Sequence, residues 1–203
     1  MRDSYLKSLK TIFPHLQASI PTLQSQNTRN FSVLSTTESD AYLSQRIQWQ
    51  PLAPGRAGTQ ATLRVMAQLA RLAASDPDFV RLASRLGTLG GVEAFVRDRF
   101  VYRDENEEII RDPRFMLADM GRDDSGRTVG LEGDCDDVAT LYGALAAALH
   151  YPARLRAIRY NSDTPFFEHV FTEVYDGTQW RILDATLPPG TPMEWLEALV
   201  EDI

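Results

Sequence analysis

Cysteine and lysine are the scarcest chemistry-bearing residues in this chain of 203 residues. Cys135 is the one cysteine, so no internal disulfide can form and no multi-cysteine zinc cage can be built. Lysine occurs only at Lys7 and Lys10, so everything from Thr11 onward works without an ammonium group. That removes a P-loop, which needs Gly-Lys-Ser/Thr, and Schiff-base chemistry in the core. No apolar run reaches the roughly 18 residues that a membrane span requires. The opening ten residues carry no long apolar stretch followed by a small-residue cleavage site, and with a single thiol a cytoplasmic location is expected. Formal net charge is -7 with scattered basic residues, so no nucleic-acid partner is expected.

What is present reads as a globular protein. Hydrophobic residues make up 43% of the chain and charged ones 24%, enough for one domain with a real core plus an extension. Residues 1–55 read as that extension. Tyr5, Leu6, Leu9, Ile12 and Phe13 fit a short amphipathic helix ended by Pro14. A stretch rich in Ser, Thr, Gln and Asn follows from Ser19 to Ser44. The domain proper is expected at 56–203: a helical part at 56–120, a core at 121–190 and a C-terminal helix at 191–203.

Within it, Leu63, Met66, Leu69 and Leu72 recur at helical spacing. Asp76-Pro77 resembles the start of a second helix that ends by Gly87. A third helix is expected at Val92 to Tyr102, burying Phe95, Phe100 and Val101. Asp104 to Glu132 is polar and reads as loop around a short helical piece at Arg114 to Met120. Asp136 to His150 is rich in Ala and Leu, with Val138, Leu141, Leu145 and Leu149 on one face, and Pro152 stops it. Three strand-like runs follow: Ala153 to Tyr160, Phe166 to Tyr175, and Gln179 to Asp184. Thr191-Pro-Met-Glu then carries Pro at a first helical position and a capping box, which predicts the last helix, docked through Trp195, Leu196, Leu199 and Val200. Helices, one long helix and an antiparallel meander make an α+β domain.

The hairpin gives the sharpest local inference. Asp176-Gly177 favours a two-residue type I′ turn. It would pair Tyr175 with Thr178 and, counting back, His169 with Asp184. Directly opposed residues hold their Cβ atoms roughly 4.5–5.5 Å apart, within reach of an imidazole–carboxylate hydrogen bond that orients the ring and fixes its tautomer. Cys135 stands where the Ala/Leu-rich helix begins, and a helix N-terminus lowers a thiol's pKa. Asp134, Asp136 and Asp137 work against a thiolate, so an imidazolium is needed nearby, and His169 is the candidate. Cys135 would attack a carbonyl, His169 take and return the proton, and Asp184 hold His169. Backbone N–H groups at the helix start, that of Cys135 included, could stabilise an oxyanion; Tyr102 is a weaker side-chain candidate.

These segments resemble a known family. Gly133-Asp-Cys-Asp-Asp137, with the Ala/Leu helix ending in Leu149-His-Tyr-Pro-Ala-Arg154, looks like the nucleophile segment of transglutaminase-like proteins. His169-Val-Phe-Thr-Glu-Val-Tyr175 and Trp180-Arg-Ile-Leu-Asp-Ala-Thr186 are similar to its histidine and aspartate segments, and Val92 to Tyr102 to the preceding helix. The likeness covers roughly residues 90–188 and is nearest to bacterial and phage-encoded members. It implies a papain-like fold, with the cysteine helix packed on an antiparallel sheet, and a Cys-His-Asp triad acting on a protein or peptide substrate without a cofactor or metal. The tryptophan that animal transglutaminases use near the acyl site has no secure counterpart here, nor do their calcium segments. Hydrolysis is therefore expected over cross-linking.

Two rivals stand beside this reading. Asp134 and Asp136 form an Asp-x-Asp pair that could bind Mg²⁺ with Asp124 in a phosphohydrolase. That chemistry usually follows a buried apolar strand and uses a distant lysine. Thr128 to Glu132 makes a poor buried strand and no lysine follows, so Asp134 as a helix cap, with Asp136 and Asp137 complementing the dipole, is the better account. The other rival is a non-catalytic scaffold, such as a phage or mobile-element structural protein that keeps the fold. His15 and His150 are given no catalytic role. Oligomeric state is not legible.

Overall fold

A computed structural model describes residues 55–103, 110–119 and 130–203; all belong to the unit Leu52–Ile203. The expected extension at 1–55, its short helix and Asp124 lie outside the described residues, apart from Gly55. Among the described residues three helices come first: α1 (Arg56–Ala74), α2 (Pro77–Leu86) and α3 (Leu89–Arg99). Asp76 caps α2 as its composition suggests, accepting from the N–H groups of Asp78 and Phe79 ahead of Pro77 at the first position. A short strand, β1 (Phe100–Tyr102), helix α4 (Pro113–Asp119) and strand β2 (Leu131–Gly133) lead to α5 (Cys135–Ala148). Strands β3 (Ala153–Arg159), β4 (His169–Tyr175), β5 (Trp180–Leu183) and β6 (Glu197–Asp202) complete the domain. No described helix is long and apolar enough to cross a membrane.

β3 to β6 form one antiparallel sheet in the order β5-β4-β3-β6. α5 packs on it. Its expected single apolar face understates its burial, since Asp136 to Ala146 are buried without a break. A helix covered on nearly every side needs small residues, and α5 supplies Ala139, Ala144, Ala146 and Gly143; a methyl group on Gly143 would collide with Ile203. α1 joins the same core, where Leu63, Met66 and Ala67 meet Ala139, Leu155, Ala157, Val170 and Leu199. Fully burying one such aliphatic side chain contributes about 1.5–3 kcal/mol, against about 1 kcal/mol for a typical helix cap.

That difference explains the largest correction. Residues 191–203 do not form the expected C-terminal helix: 191–195 are irregular and Glu197–Asp202 is strand β6, paired with β3 from Arg159↔Glu197 to Arg154↔Asp202. Thr191-Pro-Met-Glu offers a cap worth about 1 kcal/mol. Strand pairing satisfies the otherwise open backbone edge of β3 and buries Leu199 in the core. Trp195 and Leu196 stay substantially exposed.

Two smaller corrections lie ahead of α5. The third helix ends at Arg99, and Phe100 to Tyr102 pair in parallel with Leu131 to Gly133; Val101 is exposed, not buried. Of Thr128 to Glu132, expected to make a poor buried strand, Leu131 and Glu132 belong to β2, with Leu131 fully buried, and residues 128–129 lie outside the described residues. Three residues give too little periodicity to mark a strand, and only the pairing of β1 with β2 defines either.

The β4–β5 hairpin also departs from expectation. Tyr175 pairs with Trp180 and Thr172 with Leu183, a register displaced by two residues. The turn is centred on Gly177 and Thr178, with Gly177 at φ 100°. Asp176 and Gln179 close it through a backbone hydrogen bond of 3.0 Å. Asp176 is used differently from the type I′ expectation: its carboxylate accepts from the Thr178 hydroxyl and from the Thr178 and Gln179 N–H groups.

Candidate active site

Cys135 is the first residue of α5, half-buried against the core cluster. The helix start is built by its neighbours. Asp134 takes the cap position and accepts from the N–H of Asp136 at 3.2 Å. Asp137, fully buried, accepts the Arg111 N–H at 2.8 Å and pairs with the Arg111 guanidinium. Burial pushes the Asp137 carboxyl up, Arg111 pulls it back, Asp134 adds repulsion, and it comes to rest at about 6. Arg111 is a part of this arrangement that the sequence did not announce, and the structure gives Gly133 its reason. A methyl group on Gly133 would overlap the Asp137 carboxylate, so the glycine of Gly-Asp-Cys is required by close approach, not by turn geometry.

His169 opens β4 and Asp184 directly follows β5. His169 Nε2 lies 2.7 Å from Asp184 Oδ2, with both side chains largely shielded from solvent. The expected pair is present, though not by the expected route. Continuing the observed register one residue past Leu183 puts Asp184 opposite Phe171, two residues from His169. The contact is therefore diagonal, a spacing that long side chains bridge. Phe171 shares the strand face of His169, and the two ring centroids are 6.1 Å apart. Burial alone would raise the Asp184 carboxyl; hydrogen bonds from His169 and Thr186 outweigh it and hold the group below the ordinary carboxylate range.

The topology sets the start of α5 and the start of β4 at the same end of the helix and the sheet it packs on. The Thr172 hydroxyl donates to the Ala139 carbonyl at 2.6 Å, tying β4 to α5. α5 runs from there toward β3, whose first residue, Ala153, pairs with Val174 near the far end of β4. β3 then returns and pairs Ile158 with His169. α5 and β4 accordingly start at the same end, one with the thiol and the other with the imidazole. Tyr102 is placed beside the same segment: it pairs with Gly133, two residues ahead of Cys135, and is 52% exposed.

The Asp-x-Asp alternative meets a different environment. Carboxylate oxygens of Asp134, Asp136 and Asp137 lie within 4.8 Å of one another. Asp134 is occupied as a helix cap, however, and Asp137 by a guanidinium. A cation already bound to one member of the trio repels a second one.

Residues 88–185 match the family model described as the transglutaminase-like superfamily. This segment is a transglutaminase-like domain. The match begins at the cap of α3 and ends one residue after Asp184, so it takes in Cys135, His169 and Asp184. Its α+β architecture, with Cys135 at the start of a helix packed on an antiparallel sheet, agrees with that membership. Transglutaminase-like proteins typically carry out cysteine-dependent acyl transfer. Neither a curated protein nor a solved structure matches the chain.

Proposed function

We propose that this domain hydrolyses amide or peptide bonds through Cys135, His169 and Asp184. The observation that carries the reading is the 2.7 Å bond between His169 Nε2 and Asp184 Oδ2, formed at the end of the sheet where the cysteine-bearing helix begins. With Nε2 engaged by the carboxylate, Nδ1 is the ring nitrogen left to accept the thiol proton. The thiolate then attacks the carbonyl carbon. The resulting oxyanion is met by N–H groups at the start of α5, including that of Cys135, with Tyr102 as a further donor. The imidazolium returns its proton to the leaving amine, a thioester forms, and water attacks it with His169 acting as base again. The substrate is a protein or peptide, and a reducing compartment suits the unpaired nucleophile.

Alkylation of Cys135 tests this directly. Iodoacetamide should label it with a reactivity midpoint below the roughly 8.5 of a free thiol, and His169→Ala should abolish that advantage. An electrophilic peptide library should then label wild type and spare Cys135→Ala. A thiol as sluggish as an ordinary buried cysteine, unchanged by His169→Ala, would refute the triad and leave a scaffold with the same fold.

A further inference from the structure

Asp184 lies one residue past the last rung of β5, where the ladder no longer fixes the backbone. A carboxylate there can rotate about two side-chain bonds, and only some orientations present an oxygen to His169. Two hydrogen bonds remove that freedom. The Thr186 N–H and the Thr186 hydroxyl both donate to Asp184 Oδ1, at 2.8 and 2.7 Å, while Oδ2 faces His169 Nε2. The turn is itself anchored: Arg97 Nη1 on α3 donates to the Leu187 carbonyl at 2.8 Å, and Glu93 holds the Arg97 Nε at 3.1 Å.

We propose that Thr186 is a positioning residue for the site, locking the Asp184 carboxylate so that it faces Nε2 of His169 and holds the ring proton there. This rests on the reading of His169 as the general base. The chemical consequence is specific. A carboxylate is an acceptor only, so a fixed Oδ2 selects the Nε2–H tautomer and leaves the Nδ1 lone pair available for the thiol proton. A carboxylate free to swing releases the ring to both tautomers, of which one presents the wrong nitrogen. An Asp-x-Thr turn that merely closes the loop would leave the tautomer untouched.

The test is imidazole ¹⁵N NMR of the full chain at about pH 9, above the ordinary histidine range. The His169 signals are assigned by their loss in His169→Gln. Wild type and Thr186→Ser should show one dominant Nε2–H tautomer. In Thr186→Val, which keeps the shape and loses the hydroxyl donor, the tautomer ratio should fall about tenfold, the expected effect of one hydrogen bond to a charged group. An unchanged ratio in folded Thr186→Val and Thr186→Ala would overturn the proposal. If both variants unfold, wild type decides: one dominant Nε2–H tautomer together with a Thr186 amide protected from hydrogen exchange and released by Asp184→Ala supports the lock, whereas mixed tautomers, or an amide exchanging like an exposed loop, refute it. None of these readouts needs turnover, so a sluggish Cys135 would sink the triad without altering the result for Thr186, and the converse holds.

Discussion

Asp137→Asn isolates the most unusual charge near the nucleophile. The side chain sits in the first turn of α5, is fully buried, and has Arg111 as its cationic partner. Two effects oppose each other: burial disfavours the carboxylate, and Arg111 favours it. Burial wins, so the folded-state value is about 6 against 3.8 for the free side chain. Between those values the folded protein holds a proton that the unfolded chain has released. Stability must therefore fall as pH rises through this window. A shift of about two units at roughly 1.4 kcal/mol each amounts to about 3 kcal/mol, present below about pH 4 and lost above about pH 6. Urea denaturation of wild type and Asp137→Asn across that range measures it. Subtracting the two curves cancels groups that titrate alike in both proteins. The wild-type advantage over the variant should shrink by about 3 kcal/mol toward neutral pH. A flat difference would show that Arg111 cancels burial, and one that grows with pH that it outweighs burial; either would refute the reasoning.

Gly133→Ala should destabilise the fold by about 1–3 kcal/mol, the usual cost of overpacking, because the added methyl overlaps the Asp137 carboxylate. In an Asp137→Gly background, which removes the Cβ as well as the carboxylate from its path, most of that cost should vanish, and a double-mutant cycle by denaturation measures the coupling. Tyr142→Phe should be neutral or stabilising by up to about 1 kcal/mol: the phenol is fully buried and its oxygen has no hydrogen-bond partner among the described residues. A loss exceeding about 1 kcal/mol in thermal denaturation would mean that the hydroxyl is bonded after all.

The His169–Asp184 contact is present although the hairpin register that predicts it is displaced by two residues. A type I′ turn on Asp-Gly makes both residues central, but Asp176 is the residue before the turn and Gly177 its first central position. The same dipeptide fits both placements, since each puts glycine where φ is positive. The displacement was by two residues, which preserves the side-chain face. A displacement by one would have turned Asp184 away from the strand face of His169. His169 thus keeps Asp184 as a diagonal neighbour in place of a direct one. Cys135 at a helix start was readable because Asp134, Asp136 and the Ala/Leu run are local signals. The Asp137–Arg111 clamp was not, because its partners are 26 residues apart and joined only by packing.

By itself, the sequence determined the periodic elements: α1, α2, α5 and strands β3 to β5 follow from apolar spacing, caps and turn residues acting over a few positions. It also determined what chemistry the chain could carry, since one thiol and almost no lysine leave few options. Only the tertiary structure decided the register of the hairpin, the short parallel pair β1–β2 and the fate of residues 191–203. Those outcomes turn on backbone edges and apolar area that come from distant segments, and the energies involved exceed any local preference. A helix cap loses to an open strand edge, as β6 demonstrates.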